Sequence, residues 1–181
     1  MKKRVARFLG FWLFFLAIGC VEEQNFDQAD DIAVVPEMEA AMLYMEAPEE
    51  VINEEPGLTF LSVTFDFLAF QEEFVAENIL DGSLIYQLEN TTSKPLRLSI
   101  EFLNDAGTLL DTETFTMDPA PTAILNREVV YGPAGKPMDI LRNTVALRIS
   151  GTNLGDTSSV SEAPEPKFVL RSTAKFRIQL Q

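Results

Sequence analysis

Alternation of apolar and polar residues with a period of two constrains this chain more than any other feature. Leu96, Leu98, Ile100 and Phe102 alternate with Arg97, Ser99 and Glu101. Successive side chains of a β-strand point to opposite faces, so this segment reads as a strand with one face in a core and one in water. The pattern recurs from Leu58 onward. Leu61, Val63, Phe65 and Phe67 alternate with Ser62, Thr64 and Asp66. Leu84, Tyr86 and Leu88 form a second set, and Val145, Leu147 and Ile149 a third. The longest run starts at Phe168 and ends at Leu180, with Arg171, Lys175 and Arg177 on its polar side. Thr108–Met117 is Thr-rich and suits an edge, while Ala123–Tyr131 is mixed. About seven strands with turn signals between them predict an all-β fold, a two-sheet antiparallel sandwich over residues 57–181.

The breaks between strands fit. Asn104-Asp-Ala-Gly107 is short enough for a hairpin loop, and Asn90–Pro95 and Asp118-Pro-Ala-Pro121 are rich in turn formers. If each strand crosses the sandwich once, loops alternate between its two ends. Segments 71–82, 104–107 and 132–143 then share one end with the C-terminus. Segments 90–95, 118–121 and 151–167 share the other, where the preceding chain is expected to enter. Composition makes 151–167 read as a mobile loop, and Pro137 is placed to start one helical turn within 132–143.

Leu88-Glu-Asn90-Thr91, followed by the ladder from Leu98 into Asn104-Asp-Ala-Gly107, resembles the Asn-bearing strand pair of extracellular immunoglobulin-like and late-embryogenesis-abundant-type sandwich modules. That resemblance spans fewer than about thirty residues. It implies an immunoglobulin-like sandwich and no catalysis.

The N-terminus has a different composition. Lys2, Lys3, Arg4 and Arg7 precede an apolar run from Phe8 to Ile18. A run of about a dozen residues is a signal peptide's length, not the roughly 20 residues of a bilayer span. It stops at Ala17-Ile18-Gly19-Cys20, and Cys20 is the chain's one cysteine. This segment resembles the lipobox of bacterial lipoproteins, with Ala17 where Leu is usual. The resemblance implies cleavage between Gly19 and Cys20 and acylation of Cys20, which anchors the chain to a membrane. Val21 follows the cysteine, and Glu22 and Glu23 follow in turn. Among such lipoproteins that pattern implies sorting to the outer membrane.

Charge then divides the rest. From Val21 to Ser93 there are 18 acidic residues and no basic one; from Lys94 onward there are ten of each. Residues 20–56 therefore read as an acidic tether. Within it, 36–46 carries Met38, Met42 and Met45 after Pro36, which predicts a short amphipathic helix. The basic stripe of Arg171, Lys175 and Arg177 faces either acids on a neighbouring strand or the tether itself.

Chemistry is constrained by what the composition lacks. The chain has no histidine and one tryptophan, Trp12, inside the signal segment. Histidine-based triads and histidine-liganded metals are excluded. Net charge of −14 speaks against a phosphate-backbone binder, so no nucleic-acid partner is expected. Ser93-Lys94 reads as a structural turn pair. Asn153, Asp156 and Ser158 are oxygen ligands in the wrong spacing for a calcium loop and read as turn residues. No metal and no cofactor are expected. The sequence thus predicts a non-enzymatic envelope lipoprotein. It would present a sandwich to a protein or glycan, or serve as an accessory subunit of an outer-membrane complex. The alternative is an envelope enzyme using paired carboxylates.

Overall fold

Eight strands and three short helices follow one another along the described residues. They are β1 (Glu37–Pro48), α1 (Glu49–Asn53), β2 (Thr59–Asp66), α2 (Glu73–Asn78), β3 (Ile79–Asn90), β4 (Leu96–Leu103), β5 (Leu109–Met117), β6 (Leu125–Tyr131), α3 (Met138–Arg142), β7 (Ala146–Asn153) and β8 (Lys167–Ile178). This computed structural model describes residues 34–54, 59–68, 70, 72–121 and 124–180. The signal segment, with Gly19 and Cys20, lies outside the described residues. Val34–Gln181 make one compact unit.

Two antiparallel four-stranded sheets form the sandwich, in the orders β1-β8-β3-β6 and β2-β7-β4-β5. The expected two-sheet antiparallel architecture is present, with eight strands in place of about seven. Six of the seven connections pass from one sheet to the other, and only β4–β5 stays within one. That double Greek key is the strand order of a jelly roll rather than the connectivity of an immunoglobulin domain.

The alternation read from the sequence produces the core. Leu84, Tyr86 and Leu88 of β3, Leu98, Ile100 and Phe102 of β4, Leu147 and Ile149 of β7, and Phe168 and Leu170 of β8 are all buried. Each such side chain contributes roughly 1.5–3 kcal/mol of transfer free energy. One flank of the sandwich is closed by aromatic edge contacts, Phe67–Phe70 at 5.5 Å and Phe70–Phe176 at 4.8 Å. Phe176 lies over Gly82, where a Cβ would meet the ring at 2.1 Å and Lys175 O at 2.4 Å. The close strand approach there requires glycine. At the β4–β5 hairpin, Asn104 Oδ1 accepts from Thr108 N at 2.8 Å and Gly107 has φ +71°. The expected turn from Pro137 is α3, and the Thr-rich strand β5 is an edge.

The segment expected to be a helix over 36–46 is instead β1, paired along its length with β8. A register shift between Ala41 and Leu43 leaves Met42 as the extra residue of a β-bulge. Before the bulge, Met38 and Ala40 oppose Phe176 and Ala174; after it, Leu43, Met45 and Ala47 oppose Ser172, Leu170 and Phe168. One inserted residue resets the alternation. Spacing that mimics a helical period is therefore a strand with a changed phase. The domain accordingly begins at Val34, ahead of the expected boundary at 57, and the acidic tether loses its C-terminal part to the sheet.

Charge fixes this pairing. Lys175 Nζ lies 3.4 Å from Glu39 and Lys167 Nζ 3.0 Å from Glu46. Arg171 stacks over Tyr44 at 5.7 Å and lies 3.7 Å from Glu89 on β3. The basic stripe of β8 thus meets acids on both neighbouring strands. Exposed pairs of this kind contribute about 0–1 kcal/mol each, and opposite charges across strands favour this register.

The loops cluster in the two sets expected. The end where the chain enters differs, because β1 crosses the sandwich before β2 begins. Val34 bridges to Leu180, and Gln179 N donates to Asn78 O. The chain therefore enters beside the C-terminus, with α2 and the β4–β5 turn, at the end opposite 151–167.

Candidate functional site

At the end away from chain entry, two buried charges hold the longest loop. Asn90, at the end of β3, starts the turn into β4. Its side chain donates to Lys94 O and Asp118 O, both at 2.8 Å, and accepts from Thr92. This aims Lys94 beneath the segment between β7 and β8. The Lys94 side chain is fully buried, with Nζ 2.7 Å from Asp156 Oδ1, 2.8 Å from Ser159 O and 2.6 Å from Ser159 Oγ. An ammonium has three N–H groups and no acceptor. These three partners use all of them.

Glu49, first residue of α1, mirrors Lys94. It is 2% exposed. Its Oε1 accepts from Ser93 N at 2.6 Å and Ser93 Oγ at 2.5 Å, and its Oε2 accepts from Ser161 N at 2.9 Å. Burial pushes the carboxyl up, but the bonds from Ser93 and Ser161 outweigh it and hold the group below its ordinary range. Asp156 is held far lower, by Lys94 first and then by the N–H groups of Ser159 and Ser158. The loop expected to be mobile is therefore pinned at Asp156, Ser159 and Ser161. The cause is buried side-chain bonding, which its Ser- and Gly-rich composition conceals.

Between α1 and this loop lies a cleft of about 600 Å³. Pro48, Pro166 and Val160 give it apolar walls; Glu46, Glu49, Glu50 and Glu165 line it with carboxylates, and Lys167, paired with Glu46 at 3.0 Å, lines it too. Glu165 has φ 56°, a left-handed conformation uncommon outside glycine. Glu46 is held below its ordinary range by bonds from Tyr44 and Lys167. Glu46 and Glu49 are already bonded within the protein, and the exposed Glu50 and Glu165 suit a ligand with an apolar stem and a positive end. Glu46 and Glu49 are held ionised, the opposite of the raised carboxyl a general acid requires.

A second polar cluster sits at the open seam between β5 and β6. Glu113 points inward and is 1% exposed, with Arg127 at 3.2 Å and Lys136 in contact. Lys136 also bonds Asp111 at 2.5 Å. Tyr86 and Tyr131 are buried nearby, and burial raises both phenols. The cluster closes the seam with ionic bonds where a paired strand is absent.

Of the residues singled out in the sequence, Asn153 and Asp156 come together and Ser158 joins them. Asn153 is buried and bonds Ile52 O, Asp156 O and Gly155 N. Ser158 N donates to Asp156 at 2.9 Å. Their oxygens serve the turn, and among the described residues no group of acidic side chains converges as a metal site. Sequence reasoning missed the burial of Lys94 and Glu49. One signal was present: Lys94 is the first basic residue after Arg7, at the end of a stretch that holds 18 acidic residues.

No family model matches the chain, and no curated protein matches it. Among solved structures, the chain is similar to the VP2 subviral particle of infectious bursal disease virus, at 13% identity and TM-score 0.40. That match covers 82% of this chain and 33% of the viral one, so the chain spans about a third of that relative's length. A Bacillus endospore appendage pilus protein matches at 12% identity and TM-score 0.36, covering 83% and 92% of the two chains. Turnip yellow mosaic virus matches at 11% identity and TM-score 0.36, covering 83% and 82%.

Proposed function

We propose that this chain is a lipid-anchored, non-enzymatic protein of the bacterial outer membrane whose jelly roll presents a preformed acidic cleft to a basic segment of an envelope protein. The anchor rests on the lipobox resemblance at Ala17-Ile18-Gly19-Cys20. The observation that carries the binding role is the pair of buried charges, Lys94 and Glu49, which fix the loop and so shape the cleft before any partner arrives. Rigid preformed sites lose less entropy on binding. The exposed carboxylates Glu50 and Glu165 give charge complementarity toward Lys or Arg, and the proline walls accommodate their methylene stems.

Two measurements test this. Cys20→Ala is expected to abolish incorporation of labelled fatty acid and to release the protein in soluble form; labelling that persists would end the anchor reading. A photo-crosslinking residue at Val160, on the cleft wall and 70% exposed, is expected to give one discrete adduct in intact cells. Glu50→Lys with Glu165→Lys should remove it. An adduct unchanged by charge reversal would overturn the cleft's role.

A further inference from the structure

The end at which the chain enters the domain carries an unusual share of exposed apolar side chains. Val34 is 50% exposed, Val35 39%, Leu68 60%, Phe74 54%, Leu80 38% and Leu180 36%. The segments that carry Val34, Leu180 and Phe74 are joined by backbone bonds. Leu180 N donates to Val34 O at 2.8 Å, and Gln179 N donates to Asn78 O at the end of the helix that bears Phe74. Leu68 and Val75 flank a groove that runs from this end between Met38 and Phe176, with a volume of about 370 Å³. Exposed apolar patches on a domain mark sites of contact.

We infer that this end rests on the lipid surface to which the chain is anchored, leaving the acidic cleft at the opposite end directed outward. The inference rests on the acylation of Cys20 proposed above. Val34 is fourteen residues beyond Cys20, so the connecting chain reaches at most about 50 Å. A surface held that close acts at an effective concentration on the order of millimolar, and a weak intrinsic affinity suffices. Charge selects the lipid. Glu37, Asp66, Glu72, Glu73 and Glu77 are exposed on the segments that carry these residues, while Arg142 and Arg177 there are paired with Asp139 and Asp81, so a zwitterionic headgroup layer is accepted and an anionic one repelled.

The mature chain contains no tryptophan once Trp12 leaves with the signal, which permits a clean test. Phe74→Trp and Val160→Trp place one reporter at each end, both at exposed positions. The full acylated protein is reconstituted on phosphatidylcholine vesicles carrying brominated acyl chains, which quench indole by contact. Tryptophan at 74 should lose roughly half its emission or more, as for an apolar face seated in the headgroup boundary, and tryptophan at 160 should lose none. Val35→Glu combined with Leu68→Glu should abolish quenching at 74, and replacing half the lipid with phosphatidylglycerol should reduce it. Flotation of the wild-type chain with the vesicles reports the anchor separately. A chain that fails to float refutes the anchor. A chain that floats with position 74 unquenched, or with position 160 quenched instead, refutes this orientation alone and leaves the apolar end to a protein partner.

Discussion

A lysine with no exposed side-chain surface is the most consequential single residue of the domain. Lys94→Ala removes three donors from a buried site and frees Asp156, Ser159 and the loop they hold. It is expected to cost about 2–4 kcal/mol, read as a lowered urea midpoint with unchanged slope. Lys94→Met keeps the stem's packing and should cost less, because Asp156 is 60% exposed and water can take over its bonds. The same residue shows the limit of reading the site from sequence. Lysine is almost never fully buried, so only the fold reveals it, whereas Asp156 and Asn153 were legible as turn residues in a long polar loop. Titration gives a second residue-level prediction. Bonds from Ser93 and Ser161 to Glu49, and the Arg177 guanidinium beside Asp81, hold these carboxyls below their ordinary values. Their unfolded counterparts bind protons near about pH 4. The stability they supply is present above that pH and is lost as pH falls through the lower folded values. Tyr86 and Tyr131 are raised by burial, so their contribution is intact below about pH 10 and is lost above it. No histidine titrates between. Thermal midpoints should therefore form a plateau from about pH 5.5 to 9, and a sharp maximum near neutrality would contradict this.

At the scale of elements, the strands that read clearly are those whose phase never changes. Leu96–Phe102 and Phe168–Ile178 keep one alternating row turned to the core throughout, and the sequence marks them both. β1 has the same inward set, but Met42 interrupts it, and two adjacent alanines at 40 and 41 erase what contrast remains. Its acids then look like a tether and its methionines like a helix face. The bulge also serves the molecule. β1 is an edge strand, and a bulge with outward Glu37, Glu39 and Glu46 discourages a second chain from pairing there. Packing and not charge should hold β1 in place. Met45, half-buried opposite Leu170, is expected to cost about 1–3 kcal/mol on truncation to alanine and to render 34–48 cleavable by limited proteolysis. Tyr44→Ala, which removes an exposed cation–π contact with Arg171, should cost less than about 1 kcal/mol and leave the segment protected. Equal losses from the two would show that the surface ladder, not the inward row, secures the strand.

For the whole molecule, connectivity decides how the chain reaches its fold. Strand identities were largely legible, but their order in the sheets was not, because alternation specifies which face is buried and not which strand lies alongside. In the jelly roll, Glu37 lies opposite Arg177, so the first strand waits for the last. Only β4 and β5 pair as sequence neighbours through a short turn. Every other ladder closes a long loop, and the entropy of closure precedes any gain from contact. Refolding should consequently be slow, in the range of about milliseconds to seconds for a topology of this kind. The same reasoning separates two substitutions of similar type. Leu98, buried in β4 and opposite Phe115 on β5, belongs to the local hairpin, and Leu98→Ala should chiefly slow folding. Met45 belongs to the strand that docks last, and Met45→Ala should leave the folding rate nearly unchanged and accelerate unfolding. Stopped-flow circular dichroism of both variants reads this directly. If Met45→Ala slows folding as much as Leu98→Ala does, the terminal strands pair early, and the hairpin is not where the fold begins.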